Sequence, residues 1–121
     1  MADKQGPQSK LPDATLVNLK NREVTDLRDC NDELRTIGRS LESDVRIGSD
    51  LVSAQHAEIQ WQKPFYVLRD NSKNGTYITF ISGVEDTPTT IRCKPGVPYQ
   101  LRHGDKIIIV SEPIGHFKVL L

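Results

Sequence analysis

From Ala14 onward the sequence never runs far before meeting residues that reverse a chain. Gly48-Ser49-Asp50, Lys63-Pro64, Asn74-Gly75, Ser82-Gly83, Lys94-Pro95-Gly96 and His103-Gly104-Asp105 each contain a Gly or Pro that sets φ for a turn. The stretches between them show no 3.6-residue period, and several alternate. In His56 to Trp61, the residues Ala57, Ile59 and Trp61 fall on one face, while in Phe65 to Leu68 two apolar faces compete. This punctuation predicts short strands at 14–20, 22–28, 34–38, 45–48, 56–61, 65–70, 76–80, 89–93, 99–101, 106–110 and 117–121. Roughly eleven such strands make an all-β fold, two antiparallel sheets packed as a sandwich. Between Phe80 and Pro98, Gly83, Pro88, Pro95, Gly96 and Pro98 interrupt too often for long strands, so that region is expected to be an extended excursion whose register the sequence leaves open.

With 121 residues there is room for one domain. Residues 1–12 are polar, carry Gly6, Pro7 and Pro12, and have little to bury, so they are expected to form a disordered N-terminal tail ahead of a domain at 13–121. Lys plus Arg and Asp plus Glu both total 16, which leaves no overall field for nucleic acid or an anionic membrane. Any anion must be met by a local pocket. The opening MADKQGPQSK lacks the apolar stretch of a signal peptide, and no later run approaches the roughly 20 apolar residues of a membrane span. The reading is intracellular, with a nuclear setting favoured over a cytoplasmic one. Cys30 and Cys93 match no metal-ligand spacing and are expected to be free thiols. No cofactor and no metal are expected.

Three segments at strand ends hold the functional signal: Ile37-Gly38-Arg39, Ser53-Ala54-Gln55-His56 and Asp70 to Thr76. A guanidinium placed in a loop by Gly38-Arg39 offers a planar donor fork suited to two phosphate oxygens. Ser53 can add a hydroxyl and a backbone N–H to the same oxygens. Lys73 and Asn74 can add a further charge and a directional amide.

Gly38-Arg39, Ser53 to His56, Asn74 to Thr76 and His103 to Asp105, in that order, resemble the signature of the forkhead-associated (FHA) domain family. The resemblance covers roughly Ala14 to Leu121. It implies a phosphothreonine-dependent protein-binding module with no catalytic residue, in which Arg39 and Ser53 are the principal phosphate ligands. Lys73 adds to the phosphate contact, and Asn74 hydrogen-bonds the bound main chain while shaping a pocket for the threonine methyl. By the same resemblance His56 braces the Ser53 loop from behind, and Gly38, Ser72 and Gly75 are architectural. Ala54 stands where relatives often carry a polar or basic residue. Leu51 and Ala54 are candidates for selecting residues downstream of the phosphothreonine. The partner implied is a phosphothreonine-containing protein in intracellular signalling, with the DNA-damage or cell-cycle response as a candidate setting. The alternative is a structural or dimerisation domain of the same fold, a homodimer without phosphate recognition. The apolar C-terminal strand reads as the edge of a fragment from a longer signalling protein.

Other readings are weaker on their own chemistry. Ser53, His56 and Asp70 could be assembled on paper into a hydrolase triad, but no nucleophile elbow or oxyanion arrangement accompanies them. Asn74-Gly75-Thr76 matches a glycosylation sequon without a signal peptide to expose it. Arg92, Lys94, Arg102, His103 and Lys106 have few aromatics among them and read as a solvated surface. Thr87-Pro88 fits a proline-directed phosphorylation site, as any exposed Thr-Pro would.

Overall fold

The computed structural model describes residues 14–28, 34–81 and 86–121. The readings placed on 1–12, on Cys30 and on the Ser82-Gly83 turn fall outside these residues. Eleven strands follow one another: β1 Thr15–Asn18, β2 Val24–Asp26, β3 Arg35–Gly38, β4 Val45–Arg46, β5 Ala57–Gln62, β6 Phe65–Asp70, β7 Thr76–Ile81, β8 Pro88–Arg92, β9 Tyr99–Gln100, β10 Lys106–Ile109 and β11 His116–Leu120. They form a six-stranded sheet in the order β2-β1-β11-β10-β7-β8 and a five-stranded sheet in the order β4-β3-β5-β6-β9. No α-helix occurs among the described residues.

Alternation decides what each sheet buries. In β5 and β6 the register pairs Ala57 with Asp70, Ile59 with Leu68 and Trp61 with Tyr66, so these residues share the inner face. The competing faces of Phe65 to Leu68 resolve with Tyr66 and Leu68 turned inward, while Val67 is shielded on the outer face by its cross-strand neighbours Gln60 and Gln100. The Trp61 and Tyr66 rings meet at 4.8 Å with a 56° tilt. From the other sheet Leu16, Ile78, Ile107, Ile109, Phe117 and Val119 complete the core. Each such side chain contributes about 1.5–3 kcal/mol by leaving water.

Two regions depart from the sequence reading. First, β3 and β4 run parallel, with Ile37 opposite Val45 and Gly38 opposite Arg46, although antiparallel sheets were expected. Asp44 is the reason. Its carboxylate accepts the Thr36 N–H at 2.8 Å and its own N–H donates to Thr36 Oγ1 at 3.0 Å, drawing the chain back to the start of β3 before it turns upward again. Second, the excursion after Phe80 is an edge hairpin with full register, from Tyr77 opposite Arg92 to Ile81 opposite Pro88. Pro88 is tolerated because it is the first residue of an edge strand, where a missing donor costs nothing to the ladder. Pro95 and Gly96 lie against the end of β6, where the Gly96 N–H donates to the Asp70 carbonyl at 2.8 Å.

The five-stranded sheet also sets the positions of the loops that carry the candidate residues. Ile37, Ala57 and Asp70 lie side by side across β3, β5 and β6. The segments 39–44, 47–56 and 71–75 therefore emerge from the same end of that sheet.

Candidate functional site

Gly38 is where the site begins. A Cβ there would lie 2.2 Å from the Ala54 carbonyl oxygen and 2.9 Å from its carbon, so only glycine lets β3 approach the segment before β5. That approach is stitched by main-chain bonds: Arg39 N–H to Ser53 O at 3.0 Å, Ser40 N–H to Ala54 O at 3.2 Å and His56 N–H to Ile37 O at 2.9 Å. The Arg39 Nε–H donates to the Val52 carbonyl at 2.9 Å, which fixes the plane of the guanidinium. Arg39 is exposed, and its terminal nitrogens bond nothing among the described residues. The Nε–H of Arg46 donates to the Arg39 carbonyl at 3.1 Å.

Ser53 sits at the crossing of three bonds. Its carbonyl accepts from Arg39, its N–H donates to His56 Nδ1 at 3.1 Å, and its hydroxyl accepts the Lys73 N–H at 3.1 Å. His56 is fully buried, and its Nε2 lies 2.9 Å from the Gly75 carbonyl. A carbonyl can only accept, so Nε2 carries the proton and Nδ1 is the acceptor. Burial holds the His56 pKa below its ordinary value, against the opposing pull of the Gly75 carbonyl and the Asp70 charge.

The segment after β6 is shaped by one carboxylate. Asp70 is fully buried, and its Oδ1 accepts from the Ser72 N–H at 3.1 Å, the Ser72 hydroxyl at 2.5 Å and the Thr76 hydroxyl at 2.7 Å. Ser72 Oγ in turn accepts the Gly75 N–H at 2.9 Å. Asp70 Oδ2 has no partner among the described residues. Gly75 adopts φ +102°, a conformation that favours glycine, and a Cβ there would lie 2.9 Å from the Tyr77 hydroxyl. Asn74 Nδ2 donates to the Leu51 carbonyl at 2.8 Å, tying this segment to the one before β5.

The structure thus brings Gly38, Arg39, Ser53, His56, Ser72, Lys73, Asn74 and Gly75 into one connected hydrogen-bonded cluster. Leu51 and Ala54 join it through their carbonyls. The Leu51 side chain is 51% exposed. Sequence reasoning missed Val52 and Arg46, which act on Arg39 through a carbonyl and a guanidinium. It also read Asp70 only as a would-be catalytic carboxylate, although the Asp-x-Ser spacing marks a side chain that folds back on its own loop.

A family model for the FHA domain matches residues 35–110. This chain belongs to the FHA domain family. Solved structures similar to it include Mycobacterium tuberculosis EmbR in complex with a low-affinity phosphopeptide, at 24% identity and TM-score 0.68, over 89% of this chain and 24% of that one. This chain thus spans about a quarter of EmbR. An FHA domain from a study of phosphothreonine-dependent FHA domain interactions matches at 25% identity and TM-score 0.65, over 91% of this chain and 97% of that one. The N-terminal FHA domain of S. cerevisiae Rad53p, in complex with a phosphothreonine peptide, matches in fold at 17% identity and TM-score 0.68, over 91% of this chain and 94% of that one. No curated protein sequence matches the chain.

FHA domains are phosphopeptide-binding modules rather than enzymes. Both His56 ring nitrogens are engaged by the backbone, so His56 is not placed as a base toward the Ser53 hydroxyl. The His103-Gly104-Asp105 element is a tight turn closed by the Asp105 N–H on the Arg102 carbonyl at 3.1 Å and the Arg102 N–H on Asp105 Oδ2 at 2.9 Å. Cys93 is a free, buried thiol. Burial, with the Asp70 charge adding to it, pushes its pKa up to about 11, so it is no nucleophile at neutral pH. Among the described residues, no three His, Cys, Asp or Glu side chains gather as a metal would require.

Proposed function

We propose that this FHA domain binds phosphothreonine-containing protein segments and so recruits phosphorylated partners in intracellular signalling. The observation that carries the reading is the lock on Ser53, whose carbonyl accepts the Arg39 main-chain N–H and whose hydroxyl accepts the Lys73 main-chain N–H. With the Arg39 Nε–H held by the Val52 carbonyl, one loop junction presents a guanidinium edge and a hydroxyl proton before any ligand arrives. Pre-placed donors of this kind cost little ordering on binding.

A phosphothreonine carries about −1.5 to −2 charge at neutral pH. Arg39 takes two of its oxygens through the terminal nitrogens, Ser53 donates its hydroxyl proton, and Lys73 supplies further charge. Charge-assisted hydrogen bonds contribute roughly 1.5–3 kcal/mol each, so two of them separate phosphorylated from unphosphorylated segments by about 100- to 10 000-fold. Asn74, whose amide nitrogen is held by Leu51 O, keeps its carbonyl oxygen for the bound main chain. Ala54 adds no polar group, which leaves the remaining charge recognition to Lys73. The exposed Leu51 side chain favours an apolar residue downstream of the phosphothreonine.

Arg clusters are an established means by which FHA domains read phosphorylated motifs. An oriented phosphothreonine peptide library, screened with wild type and Arg39→Ala, tests the assignment in this chain. Selection by wild type and none by Arg39→Ala is the expected result. Equal capture by both proteins would leave only a structural or dimerisation role for the domain.

A further inference from the structure

The register of the six-stranded sheet turns a set of cations onto its outer face. Ile107, Phe117 and Ile78 point into the core, so the residues alternating with them point out. Lys106 stands directly opposite Lys118 across β10 and β11. In the neighbouring row Arg92, Tyr77, Ile108 and His116 line up across β8, β7, β10 and β11, with the Arg92 guanidinium 5.8 Å from the centroid of the Tyr77 ring. Among the described strand residues facing out from this sheet, the one carboxylate is Asp26 on β2, and it is already paired with Arg28 at 3.0 Å. Neither Lys106 nor Lys118 has an ion pair among the described residues.

Two observations make this more than a solvated surface. The chain as a whole is neutral, so an excess of positive charge here is a local concentration. Like charges directly opposite one another in a sheet are also destabilising, and the fold retains such a pair at the end of the β10–β11 ladder, between the two central strands of the sheet. Apolar side chains lie among the cations: Val17 stands directly opposite Lys118 across β1 and β11, and Ile81 is 63% exposed at the end of β7. Six strands at about 4.8 Å spacing make a platform roughly 25 Å wide.

We propose that this face is a second protein-binding surface, taking an unphosphorylated acidic segment with interspersed apolar residues. Carboxylates meet Lys106, Lys118 and Arg92, and the apolar side chains meet Tyr77 and Val17. Nucleic acid is a poorer fit. The affinity of that backbone comes from neutralising many phosphates, and a handful of cations neutralises few, while Tyr77 is the one Phe, Tyr or Trp on these rows for a base to stack on. The face is built on β7, β8, β10 and β11, whereas the phosphate loops leave β3, β5 and β6. A partner can therefore occupy both, and the second contact then gains from its high effective concentration.

The test uses a short synthetic peptide in which Glu alternates with Leu, titrated into the isotopically labelled chain. Amide shifts are expected on β7, β10 and β11, unchanged by Arg39→Ala and weakened about tenfold or more by Lys106→Glu with Lys118→Glu. That double variant is expected to keep its phosphothreonine-peptide binding, which separates failure of this surface from failure of the phosphate site. Should it not fold, Lys106→Gln with Lys118→Gln serves, with a smaller loss expected. Lys118→Glu alone should raise thermal stability while lowering binding, a combination that a merely structural lysine does not give. Absence of peptide binding, binding that survives both pairs of substitutions, or tighter binding of single-stranded oligothymidylate would overturn the proposal.

Discussion

At the loop end of β5 and β6, shape is held by side chains bonding to backbone: His56 to Ser53 and Gly75, Asp70 to Ser72, Asn74 to Leu51. In the β7-β10-β11 ladder it is held by backbone bonding to backbone over an inner face of Ile78, Ile107, Ile109 and Phe117. The ladder spreads its stability over many similar contacts. At the loop end single side chains carry the shape, with Asp70 Oδ1 alone accepting three bonds. The loop end is therefore sensitive to single atoms.

This contrast can be broken experimentally. The largest effect belongs to Arg39→Ala, which should cost at least about 3 kcal/mol of phosphopeptide affinity while the unfolding transition stays in place, because Arg39 is exposed. A large loss of stability would place Arg39 in the framework instead. Gly38→Ala is expected to cost about 3 kcal/mol of stability, since the added carbon meets backbone rather than a movable side chain. Near-wild-type denaturant midpoints would show that the segment before β5 yields more easily than the hydrogen bonds imply.

Acid should act on the loop end before the ladder. Burial in the fold lowers the His56 pKa below the ordinary histidine value of about 6.5, so the folded state disfavours the proton. Stability from this group is complete above about pH 6.5 and falls as the pH drops below that value toward the folded pKa. The slope is at most one proton, about 1.4 kcal/mol per pH unit. Denaturation curves between pH 7 and pH 5 should show this slope, and His56→Gln should flatten it; an unchanged slope in that variant would assign the effect elsewhere. Ile107→Val sharpens the other side of the comparison. It should cost about 1 kcal/mol of stability with phosphopeptide affinity unaltered, and a parallel loss of affinity would mean that ladder and loops are coupled. The smallest effect is at the ligand. Replacing phosphothreonine by phosphoserine removes one methyl, worth about 0.8 kcal/mol or roughly fourfold, and no loss would argue against a methyl pocket beside Asn74.

The strands were legible because period-two alternation and turn residues are local properties, and β5, β6 and β7 appear within a residue or so of where the sequence placed them. The β3–β4 direction and the β7–β8 register were not, since both depend on which distant segment supplies a partner. Asp44 reaching Thr36 decides the first, and an available sheet edge decides the second. At the site, residue types and their order pointed to a phosphate reader. The hold of Val52 on Arg39, the reach of Arg46 and the hub at Asp70 emerged only with the fold, because a carbonyl or a buried carboxylate acquires its partners from geometry rather than spacing.

By itself the sequence determined the class of fold, the family and the candidate ligands of the phosphate, because each follows from residue identity in order along the chain. The tertiary structure decided which atoms of those residues are already engaged and which remain open, and it gathered Arg92, Lys106 and Lys118 on one face. Hydrogen-bond saturation and charge density are properties of neighbours in space, and folding chooses those neighbours.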